Sequence, residues 1–253
     1  MNIPEYIRRI IGNREFITDN IGMSSSQVIC FDDMVLKTDI SQNEVDMMNW
    51  LNGKLPVPNV LAYEEECLLM GKIAGKMLCD DEYMNNPRLL VTLLVKALNM
   101  FWSIDITDCP CDFTLDNKLK LAEYRVANNL CDMNDAEPET FGKNGFANPE
   151  ELLKWLIANK PAETPCLSHG DFCLPNVFAV SSSISGFIDL GRCGIADKYQ
   201  DLALCYRSLE HNADGRFTGK AIPNFNADAL FAELGIVSDK ELIKYYILLD
   251  ELF

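Results

Sequence analysis

The amino-acid sequence predicts a two-lobed α+β fold, with a small β-rich N-terminal lobe and a larger, mainly helical C-terminal lobe. Three observations lead there. Short apolar segments punctuated by turn residues fill the chain up to Met70, and apolar residues at helical spacing dominate from Pro87 onward. Between them, positions 71–75 begin and end with glycine and read as a hinge, which sets the lobes at residues 1–74 and 75–253. At 253 residues and 48% hydrophobic, the chain can bury a sizeable core in two lobes sharing a cleft.

Each element has its own signal. Residues 28–31 and 34–36 are apolar and flank Asp32-Asp33, a tight hairpin. Residues 44–52 carry Val45, Met48 and Leu51 on one helical face, and Pro56 and Pro58 end that helix. Residues 60–63 and 67–70 read as two further strands. In 87–103, Leu90, Leu93, Leu94, Ala97, Leu98 and Phe101 recur at helix spacing, and 115–130 forms a second, weaker helix. The polar stretch 132–146 is a loop, after which Asn148-Pro149 starts a third helix with Asn as N-cap and Pro at the first position. Residues 177–180 and 184–190 make a hairpin around Ser181-Ser182-Ser183. Helices follow at 198–209, 227–234 and 239–252, the last introduced by the capping box Ser238-x-x-Glu241.

Composition narrows the function. The formal net charge of -16 repels nucleic acid and anionic membranes and attracts cations, besides favouring solubility. Residues 1–9 lack the apolar core of a signal peptide, and no apolar run spans a bilayer, so a cytoplasmic protein is expected. The ten cysteines include no C-x-x-C pair, Cys109 and Cys111 are too close for zinc spacing, and only two histidines exist. Reduced core cysteines are therefore expected.

The chemistry concentrates in Ser168-His169-Gly170-Asp171-Phe172-Cys173-Leu174-Pro175-Asn176 and in Gly186-Phe187-Ile188-Asp189-Leu190-Gly191-Arg192. Asp171, Asn176 and Asp189 stand at the ends of short apolar segments. Phosphoryl transfer needs such a set: one carboxylate to orient the attacking hydroxyl and accept its proton, and an amide oxygen with a second carboxylate to hold the metal on the phosphates. Upstream, Lys37 ends an apolar strand and Glu44 follows in a helix, the pair that a kinase-type site uses on the α/β-phosphates. There is no G-x-G-x-x-G and no Walker sequence. Gly22 with Ser24, Ser25 and Ser26 is the candidate phosphate cap, or a plain turn.

His169-Gly170-Asp171-x-x-x-x-Asn176 with Ile188-Asp189-Leu190-Gly191 resembles the aminoglycoside phosphotransferases, a branch of the protein-kinase-like fold. The run from Gly186 through Arg192-x-Gly194-x-Ala196-Asp197-Lys198 is similar to the 3′-phosphotransferases of kanamycin- and neomycin-type antibiotics. So are Asp46-Met47-Met48-x-Trp50-Leu51, Gly53-Lys54-Leu55-Pro56-Val57-Pro58 and 243–253. The resemblance implies that Lys37 binds the phosphates of ATP or GTP, with Glu44 positioning it and Ser24 touching the β-phosphate. It implies backbone contacts to the base near Met70 and Ile73, Asp171 as the catalytic carboxylate, and Asn176 and Asp189 as Mg2+ ligands. Asp201 would support the catalytic loop. The cationic antibiotic would meet Asp171, Glu137, Glu139, Glu251 and the terminal carboxylate of Phe253, with Arg192 beside the acceptor site. Two departures bear on the antibiotic spectrum: Leu209-Glu210-His211-Asn212 stands where an acidic pair is usual, and 213–224 is longer than usual. The rival readings are a kinase of another small cationic alcohol and an idle nucleotide-binding module.

Overall fold

The computed structural model describes residues 3–19, 27–134, 136–216, 219, 221–223 and 225–253. A first helix, α1 (Glu5–Ile11), precedes the strands β1 (Ile17–Asp19), β2 (Val28–Cys30) and β3 (Met34–Lys37). Helix α2 (Gln42–Leu51) then leads to β4 (Val60–Glu64) and β5 (Cys67–Gly71). The five strands form one antiparallel sheet in the order β1-β2-β3-β5-β4. The expected hairpin at Asp32-Asp33 joins β2 to β3, closed by the Phe31 N–H donating to the Met34 carbonyl at 2.8 Å.

Period-2 alternation explains the two faces of this sheet. Met34, Leu36 and Leu69 point to one side, where Ile7 and Ile11 of α1 cover them. Val35, Leu68 and Met70 point to the other, where α2 joins them to the main core. Helix α2 begins two residues before the sequence suggests, because Ser41 caps it: the Ser41 Oγ accepts from the Glu44 N–H at 3.4 Å.

The larger lobe opens with the short strand β6 (Lys76–Met77) and helices α3 (Asp81–Met84), α4 (Pro87–Trp102), α5 (Leu115–Ala127) and α6 (Pro149–Ala158). Next come β7 (Pro165–Ser168), the hairpin β8 (Val177–Val180) and β9 (Ser183–Phe187), and β10 (Gly194–Asp197). Helices α7 (Lys198–Ala213), α8 (Ala229–Leu234) and α9 (Lys240–Asp250) complete it. Strand β6 adds to the β8–β9 hairpin, so the linker runs directly onto the large lobe. Gly75 makes this approach possible: its φ is +100°, and a Cβ there would lie 2.2 Å from the Ala179 carbonyl oxygen.

Helix α4 is the keel of the large lobe. Asn86 accepts from the Leu89 N–H at its start, Pro87 occupies the first position, and Leu90, Leu93, Leu94, Ala97, Leu98 and Phe101 are fully buried at helical spacing. The Phe101 ring meets Phe187 at 4.8 Å, His169 at 5.5 Å and Phe172 at 6.1 Å, which ties the helix to the 168–176 segment. Truncating so buried a ring typically costs about 3–5 kcal/mol.

Several boundaries differ from expectation. Helix α5 stops at Ala127, because Asn129 adopts φ 54° and the Leu130 N–H turns back to the Arg125 carbonyl. Helix α9 is capped by Asp239, not Ser238: one Asp239 oxygen accepts from the Glu241 and Leu242 N–H groups, each at 3.1 Å. A carboxylate there satisfies two free donors and also suits the positive end of the helix. Ser238 Oγ is buried without a hydrogen-bond partner. No helix among the described residues is long and apolar enough to cross a membrane.

Candidate active site

Strands β7 and β10 pair antiparallel, placing Ser168 opposite Gly194. This register brings the start of the 169–176 loop beside the end of the 188–193 loop. Beneath both lies Asp201, on the first turn of α7 and fully buried. One of its oxygens accepts from Ser168 Oγ at 2.8 Å and the Gly170 N–H at 3.1 Å, and the other from the His169 N–H at 3.0 Å. Gly170 has φ +83°, and a Cβ there would fall 2.0 Å from the Arg192 carbonyl oxygen, so the two loops touch backbone to backbone. His169 Nε2 lies 2.9 Å from the Ile188 carbonyl, which can only accept, so Nε2 carries the proton and Nδ1 receives the Asp171 N–H at 3.3 Å.

These contacts aim Asp171. Asn176 donates both to the Asp171 carbonyl at 3.0 Å and to its carboxylate at 3.1 Å. Burial, reinforced by the charge of Asp250, raises the Asp171 pKa above the ordinary carboxylate value, while His169 and Arg192 oppose the shift. A raised pKa makes the carboxylate a stronger proton acceptor.

The second half of the site comes from the small lobe. Lys37 Nζ lies 3.3 Å from Glu44 Oε1 and 3.0 Å from Asp189 Oδ1. Burial alone would lower the Lys37 pKa, but Asp189 and Glu44 outweigh it and raise it. Burial raises Glu44, with Lys37 opposing. Asp189 adopts the left-handed conformation, φ 63° and ψ 56°, uncommon for a residue with a side chain and often found at functional turns.

The donor set fits magnesium. Asn176 spends its amide hydrogens on Asp171, so its Oδ1 could serve a metal ion, and Asp189 supplies a half-exposed carboxylate. These are hard oxygen donors, and two suffice for an ion that takes its other ligands from phosphate and water. Among the described residues there is no cluster of three His, Cys, Asp or Glu side chains able to hold a metal.

The structure places the other sequence-predicted residues as follows. Met70 pairs with Val35 in the sheet, and the Ile73 side chain packs where a Cβ on Gly186 would be, 2.5 Å away. Ser24, with the rest of 22–26, lies outside the described residues. On the acceptor side, Arg192 donates to Asp250 at 3.1 Å, and Arg207 reaches Asp250 at 2.5 Å and Glu251 at 3.5 Å. Glu251 also accepts the Glu137 N–H at 3.0 Å. The Glu137 side chain meets His211 at 2.9 Å and Arg216 at 3.1 Å. Glu139 is exposed. The Phe253 ring lies 5.1 Å from Lys118 Nζ and 6.0 Å from the Arg192 guanidinium, and its main-chain oxygen accepts from Arg125 at 2.9 Å.

Sequence reasoning missed Asp250, Arg207 and Lys118. Asp250 is sealed: burial alone would raise its pKa, but Arg207, Arg192 and Lys118 hold it below the ordinary value. Lys118 is also buried, donating to Gln200 Oε1 at 2.7 Å, and burial pushes its pKa down to about 8. Both had a faint signal. Asp250 falls seven residues after Ile243 and four after Tyr246, and Lys118 falls three after Leu115, so each charge sits on an otherwise apolar helical face.

The chain is similar to known proteins along its whole length. The sequence profile described as the phosphotransferase enzyme family matches residues 35–229. An aminoglycoside 3′-phosphotransferase of Enterococcus faecalis is 37% identical over 272 residues, covering 100% of this chain and 99% of the relative. One of Staphylococcus aureus is 36% identical with the same coverage. The solved structure of an aminoglycoside-3′-phosphotransferase of type VIII superposes with a TM-score of 0.80 at 27% identity, covering 98% of this chain and 97% of that one. Matched along its whole length, the chain belongs to the phosphotransferase enzyme family, in its aminoglycoside 3′-phosphotransferase branch.

Proposed function

We propose that this chain transfers the γ-phosphoryl group of ATP or GTP to the 3′-hydroxyl of kanamycin- and neomycin-type aminoglycosides, and so confers resistance in the cytoplasm. The observation that carries this reading is the convergence of Lys37 and Glu44 from the small lobe on Asp189, beside the Asp171–Asn176 pair. The nucleotide occupies the cleft between residues 1–74 and 75–253, its base against the backbone at Met70 and Ile73 by the 71–75 hinge. Lys37 contacts the phosphates and Glu44 fixes its direction; Ser24 would face the β-phosphate. Asn176 and Asp189 would hold Mg2+, which neutralises phosphate charge when bound.

Asp171 accepts the proton of the 3′-hydroxyl as the hydroxyl oxygen bonds to the γ-phosphorus. The bond from that phosphorus to the bridging oxygen breaks, leaving the nucleoside diphosphate. Positioning and electrostatics supply most of the rate in such transfers. The acceptor's ammonium groups face Glu137, Glu139, Glu251 and Phe253, with Arg192 at the edge of the site, and the net charge of -16 draws the polycation in.

The deciding assay couples ADP or GDP release to a panel of acceptors with and without a 3′-hydroxyl. Kanamycin should be phosphorylated, and gentamicin and tobramycin, which lack that hydroxyl, should not. Asp171→Asn should bind nucleotide normally but lose about 10²–10⁴-fold in turnover. Efficient phosphorylation of gentamicin, or normal turnover in that variant, would refute the assignment.

A further inference from the structure

The carboxylates of the acceptor side already have basic partners within this chain. Asp250 holds Arg192 and Arg207, and Glu251 holds Arg207 with one oxygen and the Glu137 N–H with the other. Glu137 is paired too, with His211 on Oε1 and Arg216 on Oε2. The pairs differ in access. The side chains of Asp250 and Glu251 are 11% and 3% exposed, whereas Glu137 is 25% and Arg216 45% exposed. Exchange with a cation from solvent is therefore cheap at Glu137 and costly at the other two.

The Glu137 cluster is also internally mismatched. His211 Nε2 lies 2.9 Å from Glu137 Oε1 and 2.8 Å from Arg216 Nη1. One ring nitrogen either donates to the carboxylate or accepts from the guanidinium, so one of the two contacts is always unmet. Arg216 has a second anion to rest on, since its Nη2 lies 3.5 Å from Asp214 and its N–H donates to Asp214 at 2.7 Å. Both features ease its departure from Glu137.

We infer that Arg216 is a displaceable internal cation: it fills the Glu137 carboxylate in the free protein, and an ammonium group of the acceptor binds there by exchange. The inference rests on the functional reading above and adds a specificity-determining residue to it. An acceptor with an ammonium group at that position gains only the difference between two cations on one carboxylate. An acceptor with a hydroxyl there leaves Arg216 in place. The chain therefore discriminates weakly between the two kinds of acceptor, and removing Arg216 sharpens its preference for the more highly charged one.

The test is steady-state kinetics on the full chain, comparing wild type, Arg216→Gln, Arg216→Lys, Glu137→Gln and the Arg216→Gln/Glu137→Gln pair. Arg216→Gln should lower the acceptor KM about two- to fivefold, what an exposed ion pair is typically worth, with kcat and nucleotide KM unchanged. Arg216→Lys, which keeps the cation, should stay near wild type. In the Glu137→Gln background, Arg216→Gln should have no effect, because the carboxylate it competes for is gone. An unchanged or higher acceptor KM in Arg216→Gln overturns the inference. So does an equal gain in the Glu137→Gln background, which would mean a general charge effect. Both are read on an active wild-type enzyme; a wild type that phosphorylates no aminoglycoside would instead overturn the functional reading beneath.

Discussion

Asp201 is a buried side chain that orders the loop from which Asp171 projects. Its two oxygens gather Ser168 Oγ and the N–H groups of His169 and Gly170, and so fix the turn from which Asp171 projects. An asparagine in its place would present an amide N–H to one set of those donors and turn that half of the loop away. Displacements of about 1 Å near reacting atoms can cost about 10²-fold. Asp201→Asn is therefore expected to lose about 10–10²-fold in kcat while nucleotide KM and far-ultraviolet circular dichroism change little; unaltered kcat would reduce Asp201 to a packing role. At this scale the sequence was legible wherever function imposes a short spacing. Asp171 and Asn176 lie five residues apart, and Lys37 and Glu44 seven, within one loop and one strand-to-helix step. Asp250 and Arg207 escaped because they are 43 residues apart, so the pairing exists only in the folded packing of α7 on α9.

Helix α9 ends in two adjacent carboxylates that titrate in opposite directions. Asp250 sits between two guanidinium groups, which keep it acidic despite burial. Glu251 has weaker compensation: burial raises its pKa from the ordinary 4.5 to about 7, and Arg207 only partly offsets this. The negative end of the helix also disfavours its charge. Between about pH 4.5 and 7 the folded chain thus holds a proton that the unfolded chain has lost, so Glu251 subtracts stability as pH rises through that window and no further above it. Glu251→Gln should remove that decline. In urea unfolding across the window, the variant should gain on wild type as pH rises, and a constant difference would be incompatible with the raised pKa. Among elements, α4 was legible because its apolar period continues for sixteen residues and its caps are explicit. Strands β6, β7 and β10 were not: they have two to four residues, too few to establish a period, and form only because partners distant in sequence lie alongside.

Across the whole molecule, the contacts that make the site span very different lengths of chain. Asp201 and the loop it supports are 31 to 33 residues apart, whereas Lys37 and Asp189 are 152 apart. Loop-closure entropy grows with the logarithm of this separation, so the longer contact costs about 1.4 kcal/mol more to close. The two-lobe outline was visible in the sequence because each lobe is continuous in the chain, but how Lys37 meets Asp189 depends on docking that no local pattern encodes. The difference in separation gives the site a history as well as a shape. The segment from Pro165 to Asp201 contains the loop, its buttress, the β8–β9 hairpin and the β7–β10 pair, and the small-lobe sheet pairs β2 with β3 locally and β3 with β5 over a similar separation, so each half can form before the two meet. In pulse-labelled refolding, amides of β2 and β3 and those of β7, β8 and β10 should all gain protection before nucleotide-binding competence returns; strands that stay unprotected until that point would mean that the lobes fold only on docking. A chain on this route completes each half of the site within its own lobe and joins Lys37 to Asp189 only at the last docking step.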